Sequence, residues 1–222
     1  MAAILNIETS TTLCSAAISI NGKVIAFKEE DKGYTHAENL HVFIEKILTE
    51  AKLAAKNLNA VAVGSGPGSY TGLRIGVSAA KGLAYTLNIP LIGVNTLCTI
   101  THSVLLQKKE DVLYCPMLDA RRMEVYCALL DKDLNFVKET SAEIISEDNL
   151  SFFPNEKPIY FFGEGMPKCK TLLEKIPNAK FIDDIKPYAV SLSELSYIKF
   201  NNKQFEDTAY FEPFYLKEFF TK

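Results

Sequence analysis

The chain has no stretch long and apolar enough to span a bilayer, and no basic-then-apolar leader at its start. Both absences predict a soluble, cytoplasmic protein with no membrane partner. A concentrated basic face is also missing. Net charge is −3, and the dense basic spots are Lys108-Lys109 and Arg121-Arg122, a poor footprint for binding nucleic acid unaided. Cys14, Cys98, Cys115, Cys127 and Cys169 are scattered and odd in number, with no C-x-x-C among them, so reduced cytosolic thiols are expected. No G-x-x-x-x-G-K-[ST] loop, dinucleotide fingerprint or G-x-S-x-G elbow can be drawn, and there is no repeat or low-complexity segment.

What is present is ordinary globular material. A length of 222 residues with 48% hydrophobic content fits one large domain or two small ones. Ala3 to Ile7, Leu13 to Ile20 and Lys23 to Lys28 read as strands, the last two joined by the hairpin signal Asn21-Gly22. A helix follows, with Thr35 and Glu38 at capping-box spacing and Leu40, Phe43, Ile44, Ile47, Leu48 and Ala51 on one face. Then come a strand (Ala60 to Val63), a helix (Leu73 to Leu87), a strand (Pro90 to Val94) and a helix (Leu97 to Leu106). In the second half, Val112 to Leu118, Val125 to Leu130 and Pro158 to Phe162 read as strands, and Lys168 to Lys175 and Ser191 to Asn201 as helices. The aromatic tail from Phe205 to Phe220, broken by Pro213, reads as extended chain. Charge clustering at 107–111 sets the expected boundary between lobes 1–107 and 108–222.

The most informative segment is the run from Gly64 to Gly76, with four glycines and Pro67 before Leu73. It opens a helix, where free N–H groups favour an anion, yet the same residues make a tight strand-to-helix turn capped by Ser69 or Thr71. Glu8-Thr9-Ser10 carries a similar pair of readings: oxygens for a phosphate or metal-bound water, or a turn bonded to its own backbone. Asp119, Arg121 and Arg122 are phosphate ligands or a salt-bridged turn. His36 and His41, five apart, point roughly 140° away from each other on a helix and share no metal. Cys14 and Cys127 fall in strands, where buried inert thiols are the expectation. On the second helix Gly76, Ala80 and Ala84 recur every four residues beside Ile75, Ala79 and Leu83, a face that internal packing or a partner helix could use.

Ile4 to Ser10 followed by Leu13 to Ile18, His36 to Leu40, Gly66 to Gly76 with Ala79 to Ala84, and Ile89 to Val94 form a series of motifs. Asp119 to Tyr126, Gly163-Glu164-Gly165 and Pro213 to Leu216 continue it. In this order the motifs resemble those of the TsaB (YeaZ) family. The resemblance implies an α/β, actin-like and Hsp70-like (ASKHA) fold of two βββαβα-related lobes, the second degenerate. It implies no catalytic site on this chain, which also lacks the metal-binding H-x-x-x-H of TsaD. The expected role is that of a scaffold that pairs with TsaD and supports the ATPase TsaE. That complex moves threonylcarbamoyl from threonylcarbamoyl-AMP to N6 of adenosine 37 in tRNAs reading ANN codons, with tRNA reached only through the complex. An autonomous actin-like ATPase or kinase is the alternative.

The expected partner interface is Leu40, Phe43, Ile44, Ile47, Ile75, Gly76, Ala79, Ala80 and Leu83. The same face is expected to form a homodimer in isolation, and changes at Gly76 or Ala80 to break pairing without unfolding. Glu8, Thr9, Ser10, Gly66, Gly68 and Ser69 are the expected vestigial phosphate or nucleotide contacts. No metal or cofactor is expected to be required, with only weak ATP or ADP binding at the heterodimer boundary. Glu8 stands where the family usually has aspartate, so its carboxylate is displaced by roughly 1.5 Å.

Overall fold

A computed structural model describes residues 1–33 and 35–217. The described residues separate into two compact units, one from the ranges 1–99 and 187–217 and the other of residues 100–186. Residues 187–217, expected in the second lobe, lie with the first. The reason is a long-range fit between a late helix and the first sheet, described below, which local composition cannot reveal.

The first unit holds a mixed five-stranded sheet. Its strands are β1 (Ala3–Glu8), β2 (Cys14–Ile20), β3 (Lys23–Glu30), β4 (Ala60–Gly66) and β5 (Leu91–Asn95), in the order β3-β2-β1-β4-β5. β1, β2 and β3 run antiparallel, whereas β4 lies parallel to β1 and β5 parallel to β4. The β2–β3 hairpin turns at Asn21 and Gly22, whose φ values of 49° and 80° are those of a tight primed turn.

Strand alternation divides the unit's core into two layers. Leu5, Ile7, Val61 and Val63 face helices α1 (His36–Glu50) and α2 (Tyr70–Leu87), where they meet Leu40, Ile44, Ile47, Val77, Ala80 and Ala84. Ile4, Ala60, Ala62, Ile92 and Val94 face the other way, against Leu192 of α5 (Ala189–Asn201). A buried polar network fixes α5 there. Asn6 accepts from the Ser196 hydroxyl at 2.6 Å and donates to the Ser19 hydroxyl at 3.1 Å, while the Ala189 N–H donates to Ser15 Oγ at 3.0 Å. Each group left alone would be a buried orphan, so the pairing specifies where α5 docks.

Helix ends follow local chemistry with two adjustments. α2 starts at Tyr70, three residues earlier than its periodicity predicts, because Ser69 is the cap and its Oγ accepts from the Gly72 N–H at 3.2 Å. The capping box expected at α1 does not form. Thr35 makes no side-chain cap bond, and its hydroxyl accepts from Asn39 instead.

The second unit repeats the first sheet's connectivity. β6 (Leu113–Asp119), β7 (Glu124–Leu130), β8 (Phe136–Ile144), β9 (Ile159–Phe162) and β10 (Ala179–Ile182) stand in the order β10-β9-β6-β7-β8, the same pattern counted from β6. A 3-10 helix at Glu147–Phe152 occupies the chain position that α1 has in the first unit, and α4 (Met166–Leu173) follows β9 as α2 follows β4. The lobe is thus a shortened copy. Cys115, Cys127 and Cys169 are part of its apolar core, and all five cysteines are free thiols. α3 (Thr96–Leu105) spans the boundary between the units. No helix among the described residues is long and apolar enough to cross a membrane.

The tail packs over the first unit without a helix among its described residues, and the extended chain expected from Phe205 is interrupted by a turn at 208–210, where the Phe211 N–H donates to Asp207 O at 2.8 Å. The 218–220 part of that expectation lies outside the described residues. Glu206 N–H donates to Leu91 O on the edge strand β5, and Lys81 of α2 donates to the carbonyls of Ala209 and Phe211.

Candidate functional site: a filled glycine turn and a helical groove

Two local arrangements decide what the first unit can do. The first is the meeting of the β1–β2 turn with the glycine run between β4 and α2. An added Cβ at Gly68 would lie 2.3 Å from Ser10 O, at Gly72 2.1 Å from Thr9 O, and at Gly76 2.2 Å from Thr9 Oγ1. These glycines are therefore small because the neighbouring turn is already there. Ser69 N–H donates to Ser10 O at 2.6 Å, Thr9 Oγ1 donates to Gly72 O at 2.8 Å, and Gly66 N–H donates to Thr96 Oγ1 at 3.2 Å. The amides of Gly66, Ser69 and Gly72 are thus committed within the chain.

Glu8 completes the filling. It is fully buried, and its carboxylate lies so close to Gly64 that a Cβ there would meet Oε2 at 2.2 Å. Oε1 accepts from the Ser10 N–H at 2.8 Å, whereas Oε2 has no hydrogen-bond partner. Burial pushes the carboxyl up from the ordinary 4.5, and the hydrogen bonds at Ser10 and Thr9 pull it back only in part. Of the expected phosphate contacts, Glu8, Thr9, Ser10, Gly68 and Ser69 do come together, but on one another. Gly66 faces away, toward Phe214 O. Protein atoms take up the side-chain space at Gly64, Gly68, Gly72 and Gly76, while the buried Ser10 hydroxyl has no hydrogen-bond partner.

A pH dependence follows. A carboxyl whose folded value is raised binds its proton more tightly in the fold. The stability it carries is full below 4.5 and is lost as pH rises through the folded value. Glu8→Gln has no proton to lose, so denaturant midpoints measured at pH 5 and pH 8 should lie closer together than in the wild type. An unchanged gap would show that Glu8 is not the group responsible.

The remaining polar candidates resolve locally. His36 is buried with Nε2 2.7 Å from Thr11 O, while His41 is exposed on the outer side of α1, so the two do not converge. Among the described residues no group of three or more His, Cys, Asp or Glu is placed to hold a metal. Asp119 Oδ1 accepts from the Arg121 N–H at 2.7 Å within the β6–β7 turn and pairs with Lys168, which ties that turn to α4. Cys14 is sealed in β2, and burial pushes its thiol up to about 12, out of reach of nucleophilic use.

The second arrangement is a groove of about 460 Å³ on the outer side of α1 and α2, lined by His41, Ile75, Ser78, Ala79, Gly82, Leu83, Thr86 and Leu87. No Asp, Glu, Lys or Arg lines it. Ile75, Ala79 and Leu83, among the residues expected on a partner face, line this groove and are half-buried. Leu40, Ile44, Ile47 and Ala80 are not: they are core residues, at most 6% exposed, and Gly76 is buried against Thr9. Phe43 is half-buried against the same core, as Ile75, Ala79 and Leu83 are, but does not line the groove. The correction has a simple cause. The small positions Gly76, Ala80 and Ala84 face the sheet, and the neighbours that their smallness admits are Thr9 and the core strands. Gly82 and Thr86 were missed, although steps of three or four from Ile75 reach both.

Comparisons with known proteins agree with this architecture. Residues 30–215 match the family model described as TsaD: tRNA N6-adenosine threonylcarbamoyltransferase. The chain is 37% identical over 147 residues to the tRNA threonylcarbamoyladenosine biosynthesis protein TsaB of Escherichia coli, which covers 65% of this chain and 63% of that protein. It is 32% identical over 203 residues to the TsaB of Buchnera aphidicola subsp. Schizaphis graminum, covering 85% of this chain and 93% of that one. The solved structure of YeaZ from Pseudomonas aeruginosa superposes with a TM-score of 0.85 at 24% identity, covering 97% of this chain and all of that one. A more distant fold neighbour is the activator of the 2-hydroxyisocaproyl-CoA dehydratase from Clostridium difficile with bound ADPNP, at TM-score 0.52 and 11% identity, covering 92% of this chain and 98% of that one. On these matches the chain belongs to the TsaB (YeaZ) family of tRNA threonylcarbamoyladenosine biosynthesis proteins, within the broader family described by the threonylcarbamoyltransferase model.

Proposed function

We propose that the chain takes part in forming N6-threonylcarbamoyladenosine in tRNA as a non-catalytic subunit that pairs with the threonylcarbamoyltransferase TsaD. The observation that carries this reading is the filled glycine turn. A chain that packs its own Glu8, Thr9 and Ser10 tightly against the glycine run is built to be held rather than to turn over nucleotide. The uncharged α1–α2 groove is the surface offered to TsaD, since apolar area left in water costs about 25 cal/mol per Å². In the absence of TsaD the same groove drives a homodimer. The ATPase TsaE engages the pair, tRNA is bound through the complex, and any weak ATP or ADP binding belongs to the boundary with TsaD.

The test is an omission experiment. Purified TsaD, TsaE, ATP, tRNA and threonylcarbamoyl-AMP are combined with and without the chain, and modified adenosine is measured. Product only in its presence is the expected result. Equal product in both reactions would overturn the subunit role, and nucleotide hydrolysis by the isolated chain would favour the small ATPase instead.

A further inference from the structure

The turn between β6 and β7 carries Arg121 and Arg122 with φ values of 72° and 47°. Among the described residues this is the one place where two neighbouring residues other than glycine both lie in the left-handed region. Left-handed backbone brings a Cβ too close to the following carbonyl, so hairpin tips of this kind favour Asn-Gly. The chain uses that very pair at the β2–β3 tip, where Asn21 and Gly22 have φ values of 49° and 80°. The β6–β7 tip instead accepts strain at two positions, and both side chains are exposed. Neither guanidinium takes part in a hydrogen bond or ion pair among the described residues. The acids nearby are engaged elsewhere. Asp119 pairs with Lys168 and accepts the main-chain N–H of Arg121. Glu164, brought to the same end of β6 by the Gly165 N–H bond to Met117 O, lies 3.8 Å from Lys186. The tip is left with two positive charges that serve nothing within the unit.

We propose that Arg121 and Arg122 hold the phosphodiester backbone of the tRNA. The inference rests on the subunit reading above and names a contact for the tRNA that the complex binds. Guanidinium forks match phosphate oxygens bidentately and stay charged at every working pH. On neighbouring residues of an exposed tip, two of them can reach successive phosphates of one strand. With a net charge of −3 the chain does not attract polyanions at large, so two such contacts orient a tRNA already held by the complex. Phosphate contacts of this kind position the nucleic acid without reading its sequence.

Binding of a tRNA transcript to the chain–TsaD complex, followed between about 50 and 200 mM salt, tests the assignment. Arg121→Gln with Arg122→Gln keeps the backbone demand and removes both charges. The slope of log affinity on log salt should become shallower by roughly 1.4–1.8, with affinity at low salt down about tenfold. Lysine at both positions should restore the slope. Arg121→Asn with Arg122→Gly should lose the slope as fully while melting roughly 2–4 °C higher, since the strain goes with the charge. Weaker tRNA binding by a more stable protein is a combination that a structural turn would not produce. An Asn-Gly variant that melts lower would overturn the premise that the fold has no need of the arginines. A Gln pair with unchanged affinity and slope would overturn the proposal. So would a Gln pair that keeps tRNA but releases TsaD or TsaE, which would put the arginines in a protein interface. Modified adenosine formed without the chain would bring down the subunit reading and the proposal together, whereas dependence on the chain with an indifferent Gln pair would bring down the proposal alone.

Discussion

Gly76→Leu should abolish the fold of the first unit before any question of pairing arises. The first atom of the new side chain would lie 2.2 Å from Thr9 Oγ1 and about 3.3 Å from the Thr9 Cβ. Thr9 has nowhere to retreat. It is fully buried, its hydroxyl holds Gly72 O, and its own carbonyl lies 2.1 Å from the Cβ position of Gly72. Overpacking a core by a methylene or two costs about 1–3 kcal/mol, and here a whole side chain enters between two backbones. A loss above about 4 kcal/mol is expected, a large share of the 5–15 kcal/mol by which domains are stable. Denaturant unfolding, or the soluble yield where no folded protein is recovered, reads the effect. Gly82→Leu on the same helix serves as control, with nothing within 4 Å to clash. A folded Gly76→Leu protein of normal stability would mean that the two turns are not packed as described.

Leu83→Glu should separate folding from function in the opposite sense. Leu83 is half-buried at the edge of the first core and lines the groove, so a carboxylate there can turn to water in the free chain. In the complex it cannot, and an unpaired buried charge opposes docking strongly. Affinity for TsaD is expected to fall at least a hundredfold, about 2.7 kcal/mol, with threonylcarbamoyladenosine formation lost at working concentrations. Circular dichroism should match the wild type. A variant that pairs and supports modification normally would remove the α1–α2 groove from the interface.

Most of the first unit can be read from the sequence, because its signals are local. Asn21-Gly22 fixes a two-residue turn, and Leu40, Ile44 and Ile47 mark one helix face. The apolar runs at 3–7 and 60–63 match strands buried on both sides. β8 and β10 escape such reading for a physical reason. They are the two edges of the second sheet, β8 carries Lys138, Glu139 and Glu143, and β10 has only four residues. Residues of the glycine turn are identifiable, yet what fills it is not. Only the fold shows that Ser10 O, Thr9 O and Glu8 Oε2 stand where the missing side chains of Gly68, Gly72 and Gly64 would be. The helix stripe fails for a related reason: periodicity reports that one face is small, without saying which neighbour comes close to it.

The return of α5 to the first sheet has a consequence for how the protein is made. β1 to β5 leave the ribosome early, but the helix that covers Ile4, Ala62 and Ile92 and satisfies Asn6 is encoded after the entire second unit. At synthesis rates of about 5–20 residues per second, the outer face of the nascent first sheet stays bare for several seconds while residues 100–186 emerge. During that interval Asn6 and Ile4 of β1, with Ala60, Ala62, Ile92 and Val94 of β4 and β5, have no cover, a surface on which a chaperone can act. The first sheet is begun first and finished last.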